Sequence, residues 1–140
     1  MKKIWSSSVV LALVSVLVGL WPARAQAREI VVTNADNGHE VTLRRGDTLI
    51  VRVESNPTTG SSWYTVLAPG SIVKVSRHLY NARPCPGGAV GCGGVEEFRF
   101  TPTTNTTVQV AEWLRMLYLR PFEAGIEGAT LWQVHVNLVP

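Results

Sequence analysis

Few side chains in this 140-residue chain have the type and spacing for chemistry. Its two cysteines, Cys85 and Cys92, bracket the stretch "CPGGAVGC". In an oxidising compartment such a pair closes as a disulfide. Constraining so small a loop stabilises by ~2–3 kcal/mol in the chain-entropy view. Two thiols at this spacing with no adjacent histidine fall short of the ligands zinc needs. Cys92 with His78 is formally a nucleophile and base, but a bond from Cys92 to Cys85 cancels it. His39 lies beside a turn signal, and His78 and His135 lie in expected strands. None is spaced for a metal site. Glu96 and Glu97 are adjacent in an expected strand, so they point to opposite faces and form no carboxylate pair. There is no nucleophile elbow, phosphate loop or metal motif. These residues argue against an enzyme, and no cofactor or metal is expected.

A different stretch asks for explanation. "SNPTTGSSW" (55–63) follows an apolar strand pattern and leads straight to a tryptophan. Asn56 precedes proline and is pushed to extended geometry. Pro57 fixes its own φ. Thr58 and Thr59 are stiff at χ1, and Gly60 can turn the chain with positive φ. Trp63 is placed to anchor the returning strand. The expected result is a narrow, rigid loop tipped with two small hydroxyls. A rigid loop loses little entropy on binding. Proline in the middle excludes Asn56-Pro57-Thr58 as a glycosylation site, whereas Asn105-Thr106-Thr107 fits that pattern.

The elements that must hold this loop are strands. Period-2 alternation dominates. "EIVVT" (29–33) and "EVTL" (40–43) flank a turn signal, Asp36-Asn37-Gly38. "TLIVRVE" (48–54) puts Leu49, Val51 and Val53 on one face. "SIVKVSRHLY" (71–80) does the same with Val73 and Val75, and "EEFRFT" (96–101) with Phe98 and Phe100. "VQVAEWLRMLYLR" (108–120) aligns Val108, Val110, Leu114, Met116 and Tyr118, with Glu112 interrupting, so a bulge or strand end is expected there. "TLWQVHVNLV" (130–139) aligns Trp132, Val134, Val136 and Leu138. The pattern predicts an all-β fold: an immunoglobulin-like antiparallel β-sandwich of seven or eight strands, or a barrel. Three connections are unusual: 55–62, 81–95 and 120–129. With strands alternating up and down, all three are expected at one end.

The chain opens with Met1-Lys2-Lys3, an apolar run from Val9 to Leu20, and overlapping A-x-A sites at Ala23 to Ala27. Residues 1–27 therefore read as a cleaved secretory signal peptide and 28–140 as the mature domain. The run is short of the ~20 residues a membrane span needs. The formal charge of +3 comes from 13 basic and 10 acidic residues. Lys2, Lys3 and Arg24 leave with the signal and no acidic residue does, so the mature chain carries 10 of each and is neutral. Net charge thus gives no case for a nucleic-acid or membrane partner. A secreted or periplasmic monomer is expected.

"SNPTTGSSW", "GCGGVEEF" and "LYLRPF" occur in that order. Together they resemble the three signature segments of the chagasin-like inhibitors of papain-family cysteine peptidases: NPTTG, a glycine-rich GxGG before a strand aromatic, and Y-x-R-P-aromatic. The resemblance spans nearly the whole mature chain. It implies an immunoglobulin-like sandwich whose three loops form a wedge that blocks the peptidase cleft. By position, Asn56, Pro57, Thr58, Thr59 and Gly60 match the loop that reaches the catalytic cysteine. Gly91, Cys92, Gly93 and Gly94 match the loop on the unprimed side. Arg120, Pro121 and Phe122 match the loop on the primed side. Two residues depart from the family pattern: Ser61 stands where an aromatic is usual, and Phe122 where tryptophan is usual. The cysteine pair is an addition to it. The competing expectation is a secreted β-sandwich module that binds a carbohydrate or a surface protein.

Overall fold

The computed structural model describes residues 26–123 and 125–140, so the expected signal peptide lies outside it but for its last two residues. Among the described residues eight strands form: β1 (Glu29–Thr33), β2 (Glu40–Arg44), β3 (Thr48–Ser55), β4 (Ser62–Val66), β5 (Val73–Ala82), β6 (Gly94–Pro102), β7 (Val110–Leu119) and β8 (Thr130–Val139). They build two four-stranded sheets, ordered β1-β3-β6-β5 and β2-β8-β7-β4. The inner faces meet in one core. Leu49, Val51, Val53, Phe98 and Phe100 come from the first sheet, and Leu114, Met116, Trp132, Val134, Val136 and Leu138 from the second. Each such side chain contributes roughly 1.5–3 kcal/mol by leaving water. The indole Nε1 of Trp132 donates to the Thr33 carbonyl at 3.0 Å, so the largest core residue carries no unmet donor.

The alternation along β3, β6 and β8 is as the sequence predicts. Three details differ. The turn at Asp36-Asn37-Gly38 forms, but the strands it joins do not pair with each other. β1 runs parallel to β3 and β2 parallel to β8, so the chain crosses between the sheets there. The crossing is a capped turn: Thr33 N–H and Oγ1 both donate to Asp36 Oδ2 (2.7 and 3.1 Å), and the Gly38 N–H donates to the Gln133 carbonyl at 2.7 Å. Each sheet is thus antiparallel through its middle with one parallel edge strand. Second, Glu112 makes no bulge; β7 keeps register through it, with Glu112 opposite Val136. Its carboxylate accepts from the Ser71 hydroxyl and from Ile72 N–H, the latter at 3.1 Å, and so ties the β4–β5 connection to β7. Third, the irregularity falls in β5, between Val75 and Arg77. Val73 is buried, but Val75, beside that break on an edge strand, stays exposed.

Two buried acids stitch the outside. Asp47 accepts from Arg28 N–H (3.0 Å), from the Arg28 guanidinium (2.9 Å) and from Arg44 N–H (2.9 Å). Burial alone would raise its pKa. The Arg28 side chain, then the Arg44 and Arg28 amides, outweigh that and hold it below the usual aspartate value. Glu97 sits between Arg52 and Arg99, both at 2.9 Å, and Arg99 continues to Glu29 at 2.8 Å. The Arg52 hydrogen bond is the main cause of a lowered Glu97 pKa, against burial and with help from Arg99. Both folded values lie below the unfolded ones. The stability they contribute is therefore present above about pH 4, the ordinary carboxylate range, and is lost as pH falls through the folded values. Melting curves should drop steeply below about pH 4. Asp47→Ala should cost about 1–3 kcal/mol at pH 7, because it strands two backbone amides, and should flatten the acid limb of the pH profile.

Candidate functional site

The three unusual connections meet at one end of the sandwich, as the alternation of strands requires. The first is residues 56–61, between β3 and β4. Pro57–Thr59 form one turn of 3-10 helix with proline at its start, and Gly60 closes it in the left-handed region at φ 81°. Proline suits that first position because its missing N–H would have no partner there. The Thr59 N–H donates to the Asn56 carbonyl (3.1 Å) and Gly60 N–H to the Pro57 carbonyl (2.9 Å). The two threonine hydroxyls point back into the loop. Thr58 Oγ1 donates to Asn56 Oδ1 at 2.6 Å, and Thr59 Oγ1 to the Asn56 carbonyl at 2.7 Å. The two small hydroxyls expected at the tip both donate within the loop, which stiffens it. Thr58 and Thr59 are nonetheless the exposed residues of the loop.

Asn56 also binds the second connection and the end of β7. Its Nδ2 donates to the Gly91 carbonyl at 3.0 Å, joining the first loop to the second. Its backbone N–H donates to the Tyr118 hydroxyl at 2.9 Å, joining it to the end of β7. Tyr118 in turn packs on Trp63, with ring centroids 5.1 Å apart. Sequence reading placed Tyr118 on the inward face but missed its hydroxyl as the acceptor under the loop. Trp63 anchors β4 as expected: it is buried, and its Nε1 donates to the Glu54 carbonyl at 2.9 Å.

The second connection is residues 83–93. Cys85 and Cys92 are joined in a disulfide with Cα atoms 5.5 Å apart, so Cys92 is no nucleophile. His78 turns to Glu96 instead, at 2.8 Å. Arg83 N–H donates to the Gly93 carbonyl at 2.9 Å and extends the β5–β6 hairpin into the loop. Two glycines are demanded by close approach. A Cβ on Gly93 would lie 2.8 Å from the Ser55 carbonyl, and one on Gly94 would lie 2.1 Å from the Asn81 carbonyl.

The third connection is residues 120–129. It starts with a turn from the Arg120 carbonyl to the Glu123 N–H (3.2 Å) and an Arg120–Glu123 ion pair at 2.9 Å. The Phe122 ring lies over Gly60, where an added Cβ would come within 2.6 Å of it, yet the ring stays 72% exposed. Ser61, the next residue along the first loop, is buried. The structure thus brings Asn56–Gly60, Gly91–Gly94 and Phe122 together, with loop one in the middle. The result is a narrow ridge of small exposed side chains and bare backbone, flanked by one exposed aromatic.

The glycines separate two effects. Gly94→Ala forces a side chain into backbone and should destabilise by several kcal/mol in a denaturant melt. Gly60→Ala meets only an exposed, movable ring and positive φ. It should cost about 1 kcal/mol while displacing Phe122, seen as a shift in that ring's proton resonances.

The comparisons with known proteins now bear on this geometry. The family described as "Chagasin family peptidase inhibitor I42" matches residues 42–136, more than half the chain. Chagasin of Trypanosoma cruzi is 32% identical over 110 residues, covering 76% of this chain and 94% of chagasin. The solved structure of the cysteine protease inhibitor EhICP2 from Entamoeba histolytica is similar with a TM-score of 0.67 at 21% identity, covering 80% of this chain and 96% of that one. The structure of PbICP-C in complex with falcipain-2 is similar with a TM-score of 0.50 at 15% identity, covering 81% and 91%. These two bear on the fold and show the same β-sandwich architecture. With the family match, the identity to chagasin and the shared fold, this chain belongs to the chagasin family of peptidase inhibitors.

Proposed function

We propose that this protein inhibits papain-family cysteine peptidases by inserting its three loops into the active-site cleft. The observation that carries the proposal is that the first loop joins the other two, through Asn56 to Gly91 of the second and through Gly60 to Phe122 of the third, which makes one preassembled ridge. The family membership and the names of its relatives support the target class. In this reading Asn56, Pro57, Thr58, Thr59 and Gly60 approach the catalytic cysteine. Gly91, Cys92, Gly93 and Gly94 lie along one side of the cleft, and Arg120, Pro121 and Phe122 along the other. The protein is exported through residues 1–27 to the periplasm or the medium and acts as a monomer.

The geometry of the loop supports blocking of a peptidase without cleavage. Attack by a thiolate needs a carbonyl held in near-attack geometry. In this loop the Asn56 and Pro57 carbonyls accept hydrogen bonds within the turn and face inward. The turn is helical, so it presents no extended segment to the cleft. Because the loop is already ordered, little entropy is lost on association. The accessible backbone at Gly91–Gly93 suits edge pairing with an extended enzyme segment, next to Gly94, which is closed within β6 between Ser55 and Ala82, and the exposed Phe122 suits aromatic surface beside the cleft.

The test is titration of the mature protein against papain with a fluorogenic substrate. Competitive inhibition is expected, with the loop intact by mass spectrometry after long incubation. Thr59 is exposed at the tip, so Thr59→Trp should keep the parent's melting temperature while nearly abolishing inhibition. Cleavage within Asn56–Gly60, or full inhibition by Thr59→Trp, would overturn the proposal.

A further inference from the structure

The inward face of β6 runs Phe98 and Phe100 and ends, beneath the loops, in a carboxylate. Glu96 has the parity of a core residue and its side chain is 3% exposed. A buried carboxylate persists only where polar partners satisfy it, and Glu96 has two donors and a histidine nitrogen against it, from three strands. Its Oε1 accepts from the Ser55 hydroxyl at 2.5 Å and from Trp63 N–H at 3.4 Å. Its Oε2 faces His78 Nε2 at 2.8 Å. The His78 ring is itself fixed by stacking on Phe98, with centroids 4.0 Å apart and planes 10° from parallel.

The donors have a common feature. Ser55 is the last residue of β3, in one sheet, and Trp63 lies at the start of β4, in the other. They are the two stems of the Asn56–Ser61 loop. One carboxylate oxygen holds both. An apolar residue at this position would serve packing as well as Phe98 does, but it would leave the Ser55 hydroxyl and the Trp63 amide without their partner.

We propose that Glu96 is a positioning residue for the first loop, fixing the separation and angle of its stems so that the ridge is held ready to bind. This rests on the inhibitory role proposed for that loop. Glu96 touches no peptidase in this scheme; it acts through Ser55 and Trp63.

The experiment compares Glu96→Leu, Glu96→Gln, Ser55→Ala and the double variant Ser55→Ala with Glu96→Leu. The readouts are papain inhibition and amide hydrogen exchange, with β8 amides as internal reference. In Glu96→Leu the Thr59, Gly60 and Trp63 amides should exchange faster while β8 is unchanged, and the inhibition constant should rise about tenfold or more. Glu96→Gln should recover most of the loss, because its amide oxygen still accepts at the Oε1 position. The double variant should be no worse than Glu96→Leu alone, since both changes break one shared interaction. Loop exchange that stays unchanged, or that rises only in step with β8, would overturn the proposal. If Glu96→Leu does not fold, Ser55→Ala decides: it leaves the carboxylate facing His78 and must by itself quicken the loop amides. A parent protein that does not inhibit papain would remove the inhibitory reading, while the exchange data would still decide whether Glu96 holds the loop.

Discussion

Asn56 makes five hydrogen bonds at the point where the chain leaves one sheet for the other: to Tyr118, to Gly91, and three with the two threonines that follow it. β3 and β4 belong to different sheets, and packed sheets lie ~10 Å apart. The chain must cover that gap and reverse within residues 56–61. A short crossing leaves backbone groups without sheet partners, and buried or crowded groups must find others. Asn56 supplies them, with both its amide termini and both its backbone groups engaged. The same bonds that satisfy the crossing also pin the second loop and the end of β7. The ridge is therefore a consequence of how the sandwich closes at that end.

The parts of this fold that follow a local rule were legible in the residues. Leu49, Val51 and Val53, or Trp132, Val134, Val136 and Leu138, face inward because a strand alternates, whatever else surrounds it. The loops fall at one end because strand direction alternates. What stayed hidden depends on partners far along the chain. Glu112 looked like an interruption because its partners, Ser71 and Ile72, are some forty positions away, and nothing local announces them. The Asp36-Asn37-Gly38 turn is real, but whether two strands beside a turn pair or part depends on which sheet each joins. That the threonine hydroxyls of loop one turn back to Asn56 is likewise hidden, because it needs a geometry only the folded turn creates. Glu96 and Glu97 face opposite ways, as strand alternation requires. The sequence could not show that one meets arginines at the surface while the other meets Ser55 and His78 within.

The three loops are restrained by different means, and the differences follow from their residues. Ordering a backbone residue costs ~1–2 kcal/mol, and that cost falls on binding unless folding has already met it. Loop one meets it with Pro57, two β-branched residues and its own hydrogen bonds. Loop two is rich in glycine (Gly87, Gly88, Gly91, Gly93) and has the most freedom to lose. It is also the loop closed by Cys85–Cys92. Loop three has an exposed Arg120–Glu123 pair, and such surface pairs contribute only ~0–1 kcal/mol. Its firmest contact with the rest of the ridge is Phe122 lying over Gly60. That contact exists because Gly60 has no side chain, and Gly60 is glycine because it ends the turn at positive φ. The position of the aromatic on the third loop is thus set by the turn chemistry of the first.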